Sequence, residues 1–192
     1  KRTLDLPSAP PPVNVIAGAE FTLSQSNGAK DFPSVDFDSN GNFAASWTDL
    51  AGNDGNGEGV YTREFDSNGN PQGGEFIANT NRTDNQGNST LGSASNGDYV
   101  VVWRDDHGFD GDRFGVFFRR FTNGGGPKDP TDQKIANTTN GNQKEPSVDS
   151  EPDGDFVAAW DGPSGSGKGV FARQFNASGS PKGNEQVVDT SS

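Results

Sequence analysis

The sequence predicts an all-β protein made of three four-stranded antiparallel repeats, arranged like the blades of a β-propeller. Three observations support this fold class. No segment shows a helical hydrophobic period, Asn, Asp and Gly turn signals recur at short intervals, and one apolar pattern returns about every 56 residues. Tandem units of four short strands are typical of propeller blades. Because three units are few for a closed ring, we expect an incomplete or three-bladed propeller.

Each unit contains three short blocks. A Trp block comes first, at Gly41–Trp47, Gly97–Trp103 and Gly154–Trp160. An Arg block follows, at Gly59–Phe65, Gly115–Phe121 and Gly169–Phe175. A third block ends each unit, at Glu75–Thr80, Gln133–Thr138 and Glu185–Thr190, and a lone extra copy stands at Glu20–Ser24. The sequence therefore predicts a single β-repeat domain over residues 19–192, with units at about 19–74, 75–131 and 132–192.

Residues 1–18 differ in composition from the repeats, because four prolines lie between positions 7 and 12. Such a segment favours an extended, polyproline-like arm. Counting the blocks gives a further expectation. If each blade takes its first strand from the preceding third block, Glu20–Ser24 completes the first blade and Glu185–Asp189 remains without a blade.

The Trp blocks are apolar on both faces of the predicted strand. In the second unit Tyr99, Val101 and Trp103 fall on one face, whereas Val100 and Val102 fall on the other. A strand that is apolar on both faces is covered on both faces. We therefore expect the three repeated tryptophans, Trp47, Trp103 and Trp160, to be buried at equivalent positions.

The most regular charged feature is one Arg in each Arg block, at Arg63, Arg119 and Arg173. A structural role is the preferred interpretation: each guanidinium stacks on aromatic rings and pairs with the acidic residue that follows the Trp, namely Asp49, Asp105 or Asp161. The alternative is a ring of Arg side chains at a ligand-binding face.

The loops after the first two tryptophans are candidate Ca²⁺ sites. Carboxylates alternate there with glycine, which frees backbone carbonyls, and Ca²⁺ takes six to eight such oxygen ligands. The candidate ligands are Asp49, Asp54 and Glu58 in the first loop and Asp105, Asp110 and Asp112 in the second. The alternative is a solvated acidic loop. The third loop, Asp161–Lys168, is shorter, and the EF-hand-like string Asp36–Gly41 is better interpreted as a hairpin turn.

Composition excludes several classes of protein. The net charge of −12 and the pI near 4.3 argue against binding to nucleic acid or anionic lipid. The chain has no Cys, so disulfides and Cys metal sites are excluded. No apolar run approaches the roughly 20 residues of a transmembrane helix. A catalytic triad would have to use the single His, His107, which falls in a polar loop.

The combined pattern, G-x-F-V-x-x-W, then G-V-x-x-R-x-F, then E-F-x-x-N-T, resembles a tandem repeat of large exported bacterial proteins. The resemblance implies a β-propeller-like fold and an extracellular or periplasmic location. It implies no single activity. The residues that repeat are aromatic, Gly and Arg, which a fold requires, so no catalytic residue and no certain cofactor is assigned.

The favoured hypothesis is a non-enzymatic exported scaffold or protein-interaction module, a subunit or fragment of a larger extracellular, periplasmic or membrane-associated assembly. Its partner would be another protein or further repeats. The alternative is a glycan-binding, lectin-like repeat protein, and an enzyme such as a glycosidase or lyase is the third hypothesis. A lectin site would recur with the repeat, whereas a catalytic site would break it with unrepeated acidic or His residues.

Overall fold

The computed structural model describes residues 19–165 and 167–188, so the Pro-rich arm predicted at 1–18 lies outside the described residues. Within those ranges the chain is all-β and forms three four-stranded antiparallel sheets without a helix. The prediction of an all-β protein with three four-stranded repeats is confirmed. No described segment is a helix that is long and apolar enough to cross a membrane.

The four strands of each sheet are hydrogen-bonded in chain order. Sheet one contains β1 (Lys30–Phe37), β2 (Phe43–Asp49), β3 (Gly59–Phe65) and β4 (Phe76–Ile77). Sheet two contains β5 (Gln86–Ser93), β6 (Tyr99–Asp105), β7 (Gly115–Phe121) and β8 (Gln133–Lys134). Sheet three contains β9 (Lys144–Ser150), β10 (Phe156–Ser164), β11 (Gly167–Phe175) and β12 (Gln186–Val187).

The expected exchange of strands between units is wrong. Each third block supplies the fourth strand of its own sheet, and in sheet three Val187 of β12 pairs with Phe171 of β11. The segment Glu20–Ser24 forms no strand and lies against sheet one, where Leu23 packs on the core. The third block of unit two is also shifted by one residue relative to the alignment made from the sequence. That alignment matches Ile77 with Ile135, yet Tyr61 pairs with Ile77 whereas its equivalent Phe117 pairs with Lys134.

Tight hairpins join the first and second strands of each sheet. In sheet one the backbone N–H groups of Asn40 and Asn42 donate to Asp38 Oδ1 at 2.8 and 2.9 Å. Gly41 has φ of +80°, a conformation that glycine adopts without strain. The string Asp36–Gly41 is therefore a hairpin turn, as the sequence predicts.

The sheets stack face to face, and each sheet has a Trp face and a reverse face. The Trp face of sheet two comprises Tyr99, Val101, Trp103, Phe117 and Phe121, and it packs against Ala44, Val60 and Ala78 on the reverse face of sheet one. The reverse face of sheet two comprises Val100, Val102, Val116, Phe118 and Ile135, and it packs against the Trp face of sheet three. Trp47, Trp103 and Trp160 are 3%, 0% and 3% exposed, so all three are buried at equivalent positions.

The first strands of the three sheets lie side by side and contact one another through side chains. Ser93 N donates to Asp36 Oδ2 at 2.7 Å between β5 and β1. Asn88 Nδ2 donates to Glu145 Oε2 at 3.1 Å between β5 and β9. This arrangement brings the starts of β1, β5 and β9 to one end of the molecule, which we call the loop end because the loops between the second and third strands, such as residues 50–58, also lie there.

Candidate functional site

The predicted Ca²⁺ loop of unit one is closed by its own hydrogen bonds. Asp49, fully buried, accepts from Lys30 Nζ, Asn53 Nδ2 and Ala51 N, each at 2.8 Å. Burial alone would raise the pKa of Asp49, but these donors outweigh it and hold that pKa below its ordinary value. Asp49 therefore has internal partners that fix the loop.

In the second loop Asp105 accepts from His107 N and Asn81 Nδ2, both at 2.8 Å, and Asp112 accepts from Gly141 N at 2.7 Å. Among the described residues no three or more His, Cys, Asp or Glu side chains are close enough to form a metal site. Calcium binding by Asp49, Asp54, Glu58, Asp105, Asp110 and Asp112 therefore stays a prediction.

The glycine that opens the third strand of sheets one and two has a steric reason. A Cβ on Gly59 would lie 2.9 Å from the carboxyl carbon of Asp54, and a Cβ on Gly115 would lie 2.7 Å from that of Asp110. Both carboxyls fold back onto the strand and are more than nine-tenths buried. In each, Oδ2 has no hydrogen-bond partner within the described chain.

The repeated arginines connect sheets to one another. Each guanidinium carbon lies 5.3–5.5 Å from the ring centre of the Phe two residues later, so the expected aromatic stacking is present. The expected ion pairs with Asp49, Asp105 and Asp161 are wrong. Arg119 instead donates to the backbone carbonyl of Ala78 at 3.1 Å, and Arg173 donates to that of Ile135 at 2.8 Å. Arg119 and Arg173 thus each bind the residue that follows the last strand of the preceding sheet, namely Ala78 after β4 and Ile135 after β8.

A repeated acid that sequence reasoning missed reinforces the same junctions. Asp132 accepts from Thr80 N and Asn81 N at 2.8 and 2.9 Å, and Glu185 accepts from Asn137 N and Thr138 N at 2.7 and 3.1 Å. Glu75 accepts from Gln25 N at 2.7 Å. The one-residue shift in unit two hid this equivalence from the sequence alignment.

The loop end differs from the rest of the repeat because its backbone is strained at equivalent points. Phe32, Asn88 and Glu145 have φ of 48°, 55° and 48°, which side chains other than Gly rarely adopt. In β1 and β5 the strained residue lies inside a β-bulge next to the second strand. Bulges of this kind redirect side chains and are frequent beside functional sites.

Glu58 projects into this end between sheets one and two. Its Oε2 lies 2.9 Å from where a Cβ on Gly87 would stand, so the absence of a side chain at Gly87 makes room for the carboxyl. Burial raises the pKa of Glu58; the positive charge of Arg104 opposes that rise, and the negative charges of Asp106 and Asp31 add to it. A carboxyl of this kind retains its proton at higher pH than an exposed one does.

Two of the residues whose charges act on Glu58, Arg104 and Asp106, each have a buried polar atom without a hydrogen-bond partner in the described chain. Arg104 stacks on Phe114 at 5.2 Å, and its Nε is buried without a hydrogen-bond partner among the described residues. Asp106 accepts from Asn85 Nδ2 at 3.3 Å through one oxygen, while its other oxygen is likewise buried and unpaired in the described chain. Leaving such groups unpaired costs about 1–3 kcal/mol each, so they are candidates for binding a ligand.

Sequence reasoning placed Glu58 in a calcium loop and did not single out Asp31, Arg104 or Asp106. The signal that could have found them is the break in the repeat. Asp31 corresponds to Gly87 and Lys144, and Glu58 corresponds to Phe114 and Lys168. Arg104 corresponds to Thr48 and Asp161, and Asp106 corresponds to Leu50 and Pro163. Glu58, Asp31, Arg104 and Asp106 are therefore unrepeated, which is the pattern expected of a catalytic site.

No protein-family model and no curated protein matches the chain. Among solved structures, the chain is similar to an endo-arabinase from Bacteroides thetaiotaomicron, with a TM-score of 0.51 and 14% identity over 92% of this chain and 66% of that one. It is also similar to an alpha-L-arabinofuranosidase from Lactobacillus brevis, with a TM-score of 0.52 and 10% identity over 83% of this chain and 53% of that one. The chain thus spans between half and two thirds of the length of these enzymes.

This likeness contradicts the expectation of a non-enzymatic scaffold or interaction module, and with it the assignment of the chain as not an enzyme. Both of these similar structures are named as enzymes that act on arabinose-containing glycans. The expectation rested on the repeated aromatic, Gly and Arg residues, which specify the fold and give no information on whether the unrepeated residues form a catalytic site.

Proposed function

We propose that the chain is a β-propeller-type glycosidase module, whose acid and base groups lie at the loop end between sheets one and two. The observation that carries the proposal is the unrepeated cluster of Glu58, Asp31, Asp106 and Arg104. Glycosidases use two carboxyl groups in different protonation states, and different surroundings separate the two states. The likeness in fold to two arabinose-directed enzymes supports the same reading.

Glu58 is assigned as the general acid, because burial favours its protonated form. It donates its proton to the glycosidic oxygen as the bond to the anomeric carbon breaks. Asp106, with one unpaired buried oxygen, supplies the partner carboxylate, which either takes a proton from the attacking water or itself attacks the anomeric carbon. Arg104 and the exposed Asp31 offer hydrogen bonds to sugar hydroxyls.

Arabinose-containing polysaccharides are the proposed substrate class, on the strength of the printed names of the two similar structures. An exported protein would meet such polymers outside the cell, which agrees with the predicted extracellular or periplasmic location.

The test is release of reducing ends from arabinan, arabinoxylan and a panel of other glycans by the purified chain. Glu58→Gln and Asp106→Asn should each lower the rate roughly 10²-fold or more, the usual contribution of an acid or base. Glu64→Gln is the matched control: burial raises the pKa of Glu64 too, yet Glu64 lies near the other end of β3. Proton NMR of the first product would show whether the anomeric configuration is retained or inverted.

Two outcomes would contradict the proposal. One is the absence of any cleavage across the panel by a folded chain. The other is a Glu58→Gln variant that cleaves as fast as the Glu64→Gln control.

A further inference from the structure

The reverse face of sheet three is exposed at positions that are buried in the other two sheets. Its exposed members are Val157, Val170 and Val188, at 37%, 42% and 61% exposure. Their counterparts in sheet two are Val100, Val116 and Ile135, at 3%, 0% and 0%. Their counterparts in sheet one are Ala44, Val60 and Ala78, at 5%, 0% and 0%. We call the three exposed valines and the adjoining Ala172 the open face.

The chain shows twice what covers such a face. The counterparts in sheet one are covered by the Trp face of sheet two, including Trp103, and those in sheet two by the Trp face of sheet three, including Trp160. Both junctions also carry the Arg contact, from Arg119 to Ala78 O and from Arg173 to Ile135 O. The equivalent carbonyl on sheet three belongs to Val188, whose N–H is bonded to Val170 O just as Ile135 N is bonded to Val116 O.

The Trp face of sheet one is already covered within the chain. Arg63 donates to Leu23 O at 3.1 Å, which reproduces the Arg119 contact. Phe21 lies 5.8 Å from Phe65, much as Phe76 lies 5.5 Å from Phe121. The segment Glu20–Gln25 therefore occupies the place that a preceding unit would take. A second copy of the chain could reach the open face with its sheet one only by displacing this segment.

We propose that the open face binds a further unit of the same repeat, which presents its Trp face and donates its Arg to the Val188 carbonyl. The occupant is a repeat unit whose Trp face is not already covered, unlike that of sheet one in a second copy of this chain. The open face has the same strand arrangement and the same carbonyl position as the two faces that are covered within the chain. The two similar solved structures are longer than this chain, so their fold has room for further units. This inference is independent of the proposed glycosidase activity, and its test involves no glycan.

The experiment adds one unit to the natural chain, by appending a copy of residues 81–138 after Ser192. Since the protein has no Cys, Val157→Cys provides a unique thiol on the open face. We expect maleimide to label this thiol readily in the natural chain and roughly tenfold more slowly or less in the extended chain, an effect equivalent to about 1.4 kcal/mol of opening free energy.

The matched control is the extended chain with Val170→Asp and Val188→Asp. Both positions are exposed, so the three natural sheets should fold unchanged while docking is blocked and the thiol stays reactive. Equal labelling of the extended chain and the control would overturn the proposal, and so would an added unit that remains unfolded by circular dichroism. Sedimentation of the unextended chain should show a monomer. Head-to-tail oligomers would contradict the proposal, because a second copy of this chain would then occupy the open face.

Discussion

The two ends of the sheets differ in how closely they follow the repeat. At the hairpin end, where first and second strands join, Gly41, Gly97 and Gly154 have φ of 80°, 85° and 91°, and the turns close with the same backbone hydrogen bonds. At the loop end the residue before the repeated Gly of the third strand is Glu58, Phe114 or Lys168. The hairpin end is the same in all three sheets, whereas the loop end also contains residues that differ from sheet to sheet, and the proposed active site lies among them. Changes at repeated positions should therefore cost stability, and changes at Glu58 and its neighbours should cost activity.

The largest expected effect is that of Trp103→Ala. Trp103 is fully buried between sheets one and two, so its removal should lower the free energy of unfolding by about 3–5 kcal/mol. Urea unfolding followed by circular dichroism measures the loss. Phe109→Ala at the loop end, where Phe109 is 61% exposed, is the control and should change stability by less than about 0.5 kcal/mol. Similar losses in both variants would show that repeated and unrepeated positions do not differ in stability as described.

Most of the fold follows from the sequence because its causes are local and occur three times. The Trp strands are apolar on both faces, and the turns contain Asn-Gly or Asp-Gly, so strand, turn and burial are all predictable from short segments. The partner of each Arg was not predictable. Arg119 binds a carbonyl 41 residues away, and no residue type marks a carbonyl as the acceptor. The site around Glu58 was missed because it joins three separate segments through residues that the repeat does not contain.

The second prediction concerns pH, and it compares Glu58 with Glu64 at the two ends of β3. Burial raises the pKa of both carboxyls above the ordinary 4.5. The folded chain then binds more protons than the unfolded chain between the two pKa values, so their contribution to stability falls as pH rises above about 4.5 and is constant above the raised pKa. Glu58→Gln and Glu64→Gln should each remove this loss, so the free energy of unfolding of each variant should rise relative to that of the unaltered chain as the pH increases above about 4.5.

Urea unfolding at several pH values measures that gain, with the exposed Glu151→Gln as the control. Only Glu58→Gln should also lose glycosidase activity. A pH dependence unchanged by either substitution would contradict the assigned protonation of these carboxyls. Activity lost equally in both would place the active site elsewhere.

The smallest expected effect concerns calcium and the loop end alone. Asp54 Oδ2 and Asp110 Oδ2 are buried without a hydrogen-bond partner in the described residues, and they are the oxygens on which the calcium prediction now depends. With a dissociation constant of about 10⁻³ M, 1 mM Ca²⁺ would stabilise the fold by about 0.4 kcal/mol per site. Differential scanning calorimetry should show a slightly higher melting temperature in Ca²⁺ than in EDTA. Asp54→Asn combined with Asp110→Asn should abolish the difference, whereas Asp153→Asn at the hairpin end should preserve it. An identical melting temperature in millimolar Ca²⁺ and in EDTA would mean that these oxygens serve only to close the loops.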